Sequence, residues 1–198
     1  MVKEREIDRE LVQRAQAGEK LAFGLLVTKY QRKLYRLALR IVADPAEAED
    51  VVQETFIKAY RALPQFRGDA AFYTWLYRIA INAARSSLES RGRRLPTQSG
   101  LNINESETFE VRSHLNDVDT PETLLLNKQL AEAVNSAMEG LPAELRLTLS
   151  LREIEGLSYA DIAEVMVCPI GTVRSRIFRA REAIAERIRP LLGTGVEN

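Results

Sequence analysis

The sequence predicts an all-α protein: two small helical domains joined by a flexible acidic linker. Helical periodicity runs almost unbroken from residue 8 to about residue 90, and it resumes from 121 to 192. Between these stretches the texture turns polar. Gly92-Arg93-Arg94-Leu95-Pro96-Thr97-Gln98-Ser99-Gly100 leads into Asn-, Ser-, Glu- and Thr-rich chain as far as Thr120, with few apolar anchors. No stretch alternates convincingly as a strand does, and no internal repeat is visible. The expected division is a first domain over 1–94, a linker over 95–120 and a second domain over 121–198.

In the first domain helices are expected over 8–16, 19–42, 45–63 and 70–90, separated by Gly18, by Asp44-Pro45 and by the stretch from Pro64 to Asp69. The second domain offers helices over 121–140, 142–155, 158–166 and 170–192. The third of these opens at Ser158, whose hydroxyl can accept from first-turn N–H groups, with Asp161 three residues on as in a weak capping box. Ile162, Ala163 and Met166 give it an apolar stripe. Cys168-Pro169-Ile170-Gly171 then forces a break, because proline disfavours helical geometry in the residue before it and lacks an N–H. A new helix follows within a residue or two. Advancing 100° per residue from Val173 gathers Val173, Ile177, Ala180 and Ile184 into a narrow buried stripe. Ser175, Phe178 and Arg179 fall opposite it, with Arg174 and Arg181 on one flank and Arg176 on the other.

A helix, a tight turn and a second helix with an arginine-rich outer surface spell a helix-turn-helix. In that motif the second helix lies in the major groove, where Arg bonds guanine O6 and N7 in bidentate fashion and an exposed Phe can touch a thymine methyl. The alternative is a solvated arginine-rich helix in an ordinary bundle. Cap, turn and basic face occurring together favour DNA.

The formal charge balances, with 28 basic and 28 acidic residues, so the total says nothing about nucleic acid. The distribution does. Residues 1–94 hold 18 Lys or Arg against 12 Asp or Glu, a net of +6, and residues 95–132 hold 2 against 7, a net of −5. Residues 172–189 carry 6 Arg against 2 Glu, a net of +4. Cys168 and His114 are each the only residue of their kind, which excludes a disulfide framework or a Cys/His metal cluster within one chain. Cys168 reads as a small buried hydrophobe. The start lacks the apolar run of a signal peptide and nothing approaches a membrane span, so a cytoplasmic protein is expected.

Two further faces stand out in the first domain. The stretch from Phe66 to Arg78 crowds five aromatic residues together, and Phe72, Leu76, Ile79 and Ala83 form its core stripe. Trp75, Arg78, Asn82 and Arg85 line a second face with a ring, two guanidiniums and an amide. Such a mix suits single-stranded nucleic acid, where rings stack bases, arginines hold phosphates and an amide pairs with a base edge. Semi-buried packing of Trp75 on a neighbouring helix is the alternative. In the preceding helix Val52, Phe56, Ala59 and Leu63 point one way, while Asp50, Gln53, Glu54 and Ile57 form an acidic and amide-rich strip on another. That strip is either solvated or a docking face.

Taken together, Asp50-Val51-Val52-Gln53-Glu54-Thr55-Phe56-Ile57-Lys58-Ala59-Tyr60-Arg61, Phe66-Arg67-Gly68 with Tyr73-Thr74-Trp75-Leu76-Tyr77-Arg78-Ile79-Ala80, and Gly171-Thr172-Val173-Arg174-Ser175-Arg176-Ile177-Phe178-Arg179-Ala180-Arg181 closely resemble a bacterial sigma factor of the extracytoplasmic-function (ECF) class, sigma-E type. The resemblance covers nearly the whole chain outside the linker and the last residues. It implies that Asp50, Gln53 and Glu54, with Ile57 on the same strip, dock on the clamp helices of the polymerase β′ subunit. It implies a minus-10 element bound as an opened strand by Trp75 and Arg78, with a base captured near Asn82 and the loop around Phe66. It implies a minus-35 duplex read by Arg174, Ser175, Phe178 and Arg179, with Thr172, Arg176 and Arg181 near phosphate. Core RNA polymerase, promoter DNA and an anti-sigma factor anchored in the inner membrane are the implied partners, envelope-stress or related genes the implied targets. No cofactor, metal or catalytic residue is implied, because the polymerase does the chemistry. The extra middle domain of housekeeping sigmas is missing, and the acidic linker would thread polymerase channels.

Two other classes compete. A helix-turn-helix repressor would share the C-terminal motif but leave the Trp75, Arg78, Asn82 face without a use. A DNA-processing enzyme would need a nucleophile with an arginine cluster or paired carboxylates for metal; Asp50 and Glu54 imitate the latter, but no third ligand follows at helical spacing.

Overall fold

The computed structural model describes residues 2–92 and 121–193. The expected linker over 95–120 lies outside the described residues, as does His114. Eight α-helices are described: α1 (Val2–Gln16), α2 (Lys20–Val42), α3 (Pro45–Ala62), α4 (Phe72–Ser90), α5 (Pro121–Glu139), α6 (Ala143–Glu153), α7 (Tyr159–Met166) and α8 (Ile170–Gly193), with a 3-10 turn at Leu63–Gln65. The fold is all-α, and no strand occurs among the described residues.

The first four helices make one bundle, with α2 packed on α1, α3 and α4. Leu26, Leu34, Leu37, Leu76 and Ile81 are fully buried there, and each contributes roughly 1.5–3 kcal/mol by leaving water. The hairpin between α2 and α3 has a local cause. Ala43 takes the left-handed conformation (φ 63°) and returns its N–H to the Leu39 carbonyl, while the Asp44 side chain accepts from the Glu47 N–H at 2.8 Å and Pro45 opens α3. Asp8 is buried but satisfied: Tyr30 donates to one carboxylate oxygen at 2.5 Å and Lys29 to the other at 2.6 Å.

In the second group α5, α6 and α7 all pack on α8. Val173, Ile177 and Ala180 are the buried stripe of α8, and Ile184 continues it half-buried. The capping box of α7 is complete, with Ser158 Oγ accepting from the Asp161 N–H at 3.1 Å and Asp161 Oδ2 accepting from the Ser158 N–H at 3.2 Å. The turn after α7 differs from expectation in its agent. Val167, before Cys168-Pro169, makes the reversal in the left-handed region (φ 51°, ψ 52°). Cys168 is half-buried, with its sulfur 3.9 Å from an Arg176 nitrogen.

The two groups meet where α4 packs on α7 and the end of α2 on α6. Tyr77 donates to Glu155 Oε2 at 2.6 Å, and Tyr73 and Thr74 donate to Asp161 at 3.0 and 3.2 Å. Burial, the Glu155 charge and its hydrogen bond all push the Tyr77 hydroxyl above its ordinary value. Burial works to raise the Asp161 carboxyl, but hydrogen bonds from Ser158, Tyr73 and Thr74 outweigh it and hold the group below the usual carboxylate range.

A β-branched residue at positive φ is strained by about 1–2 kcal/mol, and Val167 has no compensating burial at 73% exposure. Val167→Gly is therefore expected to stabilise the chain by on the order of 1 kcal/mol, raising the thermal midpoint by about 2–4 °C. A calorimetric midpoint that falls would contradict this.

Candidate nucleic-acid interface

The arginines of α8 divide by partner. Arg174 and Arg179 are exposed and pair with no acid among the described residues; between them on the outer surface stand exposed Ser175 and Phe178, the latter 66% exposed. Arg176 and Arg181 are held. Arg176 donates toward Glu144 Oε2 at 3.0 Å, and Arg181 toward Glu153 Oε1 at 2.6 Å. Thr172 is half-buried at the first turn, where its carbonyl accepts from Ser175 Oγ at 2.9 Å. The helix thus presents two free guanidiniums flanking an apolar ring, with two tethered guanidiniums at the sides. Free forks suit base edges, and tethered ones suit a point contact that can swap a carboxylate for a phosphate.

On α4, Phe72, Leu76 and Ala83 are buried and Ile79 is half-buried, so the core stripe falls on the expected face. Trp75 is half-buried against Phe66 (centroids 4.8 Å apart) and Phe72 (5.7 Å). The ring packs on the loop before α4 and on its own helix and keeps an exposed portion. Arg78 and Asn82 follow at one and two turns, both exposed. Arg85 departs from the expected face. Its guanidinium is drawn to Glu144 Oε1 at 3.0 Å, so Glu144 bridges Arg85 of α4 and Arg176 of α8.

Phe66 sits half-buried in the loop before α4 and is fixed by α1: Gln16 Nε2 donates to the carbonyls of Phe66 and Leu63, each at 2.9 Å. A cavity of about 470 Å³ opens beside it, lined among others by Arg5, Arg9, Phe66, Arg67 and Tyr73. Asn82 does not line this cavity. Sequence reasoning missed Gln16, Arg5 and Arg9, because no spacing within α1 signals contact with a loop some fifty residues on.

On α3, Asp50, Gln53 and Glu54 are exposed, as is Ile57 at 51%. Glu54 pairs with Lys58 one turn on at 2.7 Å, and Tyr60 extends the exposed strip at 48%. Among the described residues no group of three His, Cys, Asp or Glu could hold a metal ion, and no helix is long and apolar enough to cross a membrane.

The family model of Sigma-70 region 2 matches residues 26–94, and that of Sigma-70, region 4 matches residues 131–184. The RNA polymerase sigma-H factor of Pseudomonas aeruginosa is 56% identical over 187 residues, covering 94% of this chain and 96% of that protein. The ECF RNA polymerase sigma-E factor of Escherichia coli K12 is 52% identical over 185 residues, covering 93% and 96%. Among solved structures, CnrH in complex with the cytosolic domain of CnrY aligns with a TM-score of 0.64 at 27% identity, over 93% of this chain and 98% of that one. The sigma factor RpoE of Bartonella quintana, in complex with the anti-sigma factor NepR, aligns with a TM-score of 0.57 at 26% identity, over 84% and 96%. With both sigma-70 regions matched in order and more than half its residues shared along nearly the full length with such factors, this chain belongs to the ECF class of RNA polymerase sigma factors, initiation factors and not enzymes.

Proposed function

We propose that this sigma factor directs core polymerase to envelope-stress or related promoters through three contacts borne by different helices. The observation that carries the reading is the partition on α8: Arg174 and Arg179 stand free around exposed Phe178, while Arg176 and Arg181 are tethered. Arg174, Ser175, Phe178 and Arg179 read bases of the minus-35 duplex, and Thr172, Arg176 and Arg181 hold its phosphates. Trp75, Arg78, Asn82 and the loop at Phe66 bind the opened minus-10 strand. Unpairing is offset there by stacking and base capture, at roughly 1–3 kcal/mol per stacked base, without ATP.

Asp50, Gln53, Glu54 and Ile57 dock on the β′ clamp helices. In this reading residues 1–94 serve the core and the minus-10 element, 121–198 the minus-35 element, and 95–120 connect them. The factor works in the cytoplasm, at the nucleoid when active, and an anti-sigma factor anchored in the inner membrane holds it otherwise; the complexes formed by CnrH and the Bartonella RpoE support such a partner.

Purified chain plus core polymerase is expected to start transcription at promoters with a sigma-E-like minus-35 sequence, and neither component alone should do so. Replacing Gln53 and Glu54 together by alanine should abolish core binding while the isolated residues 121–198 still bind minus-35 DNA; normal core affinity of that variant would refute the docking strip. Arg179→Ala should cost about 1–3 kcal/mol at a matched minus-35 site and much less on scrambled duplex. An equal loss on both would make Arg179 a phosphate contact.

A further inference from the structure

Arginines gather on both sides of the cleft between α1 and the loop before α4. Arg5 and Arg9, one turn apart on α1, line one wall of this space of about 470 Å³, and Arg67 lines the other. Arg5 is engaged: it donates to the Tyr73 hydroxyl at 2.7 Å and stands 3.7 Å from Asp161 Oδ2. Arg9 and Arg67 are exposed, and neither guanidinium has a hydrogen-bond or ion-pair partner among the described residues. Two carboxylates share the lining. Asp8 is spent inside the bundle on Lys29 and Tyr30, which leaves Asp69 as the one acid of the lining set against these cations. Cations held on opposite walls repel one another, and an anion between them turns that repulsion into attraction.

Both walls are fixed. Gln16 of α1 donates to the Leu63 and Phe66 carbonyls, each at 2.9 Å, and so ties the loop to the helix that faces it. Gly68 turns that loop in the left-handed region (φ 78°), which glycine adopts without strain, with Arg67 and Asp69 on either side of the turn. The volume falls within the roughly 300–1,000 Å³ of sites that admit small ligands. Phe66 joins the cleft to the face that carries Trp75: it lines the cleft, and its ring centroid lies 4.8 Å from that of Trp75. A base stacked at Trp75 is one ring away from the cleft, which brings its flanking phosphates within reach of the arginines there.

We propose that this cleft is a phosphate clamp, in which Arg9 of α1 and Arg67 of the loop hold one backbone phosphate of the opened minus-10 strand while the neighbouring base stacks at Trp75. The inference rests on the assignment of Trp75, Arg78 and Asn82 to that strand, and it brings α1 into the site. The planar fork of a guanidinium matches two phosphate oxygens at once. A phosphate contact carries no sequence information but fixes register, so the clamp sets where along the strand a base meets Asn82. A free nucleotide offers the same phosphate chemistry, and the experiment separates it from the strand.

The experiment compares full-length wild type, Arg9→Gln, Arg67→Gln, the double variant and Asn82→Ala, each assembled with core polymerase. It reads the half-life of open promoter complexes after heparin challenge at several salt concentrations, on DNA whose nontemplate strand carries a single neutral methylphosphonate linkage at successive minus-10 positions. Each arginine variant is expected to shorten the half-life by roughly three- to tenfold, equally on altered minus-10 sequences, and the double variant to lower the salt slope by about 0.7. One neutral linkage should cost the wild type a similar factor and cost the double variant nothing further, because both changes remove one contact. Core affinity should be unchanged, since neither arginine lies on the α3 strip. Half-lives within twofold of wild type, a double variant as sensitive to every neutral linkage as the wild type, or a loss of core affinity that accounts for the shortened half-lives would each overturn the clamp. So would binding of free deoxyadenosine monophosphate that the double variant loses while no linkage is sensitive, which would give the cleft to a free nucleotide. Asn82→Ala separates the two readings: if it destabilises open complexes and the arginine variants do not, the clamp alone fails, and if the arginines and one linkage behave as expected while Asn82→Ala changes nothing, the clamp holds and the assignment of Asn82 fails.

Discussion

Nineteen residues of α4 answer to three sets of neighbours, and the 100° step of the helix is what keeps them apart. One face, with Phe72, Leu76, Ile79 and Ala83, closes the first bundle. A second, with Tyr73, Thr74 and Tyr77, donates hydroxyl hydrogen bonds across the seam. A third, with Trp75, Arg78 and Asn82, remains for solvent or strand. Phe72 and Tyr73, like Leu76 and Tyr77, are adjacent in sequence yet serve different neighbours.

Charge is used in the same divided manner. A chain of zero formal charge binds a polyanion only if its cations are concentrated and its acids are kept off them. On α8 that separation is incomplete: Glu144 and Glu153 occupy Arg176 and Arg181, while no acid among the described residues pairs with Arg174 or Arg179. Carboxylates so placed lower nonspecific affinity for DNA, since each must be displaced before its arginine meets a phosphate. They leave Arg174 and Arg179 untouched.

Helices and their buried stripes were legible in the chain because period, proline and capping residues are local signals; Val173, Ile177 and Ala180 illustrate this. The reversal at Val167 was not, because the residue that makes it is one whose side chain opposes the conformation. Nor was the diversion of Arg85 away from the face it shares with Trp75 and Asn82. Its partner Glu144 lies 59 residues on, and an ion pair across two bundles leaves no periodic trace. Gln16 and Glu155 belong with it. The exposed surface of α8 could be derived residue by residue, whereas everything that ties one half to the other depends on placement.

Asp161 carries two obligations at once. Its Oδ2 closes the capping box of α7, and the same carboxylate receives the hydroxyls of Tyr73 and Thr74. A cap stabilises the start of a helix by about 1 kcal/mol, so changing this residue to alter the seam also frays the scaffold of the DNA-reading motif. The partners on α4 carry no such burden, since neither hydroxyl is needed for α4 to form. The interdomain contact can therefore be altered at positions 73 and 74 without touching the cap of α7, and at position 161 only together with that cap.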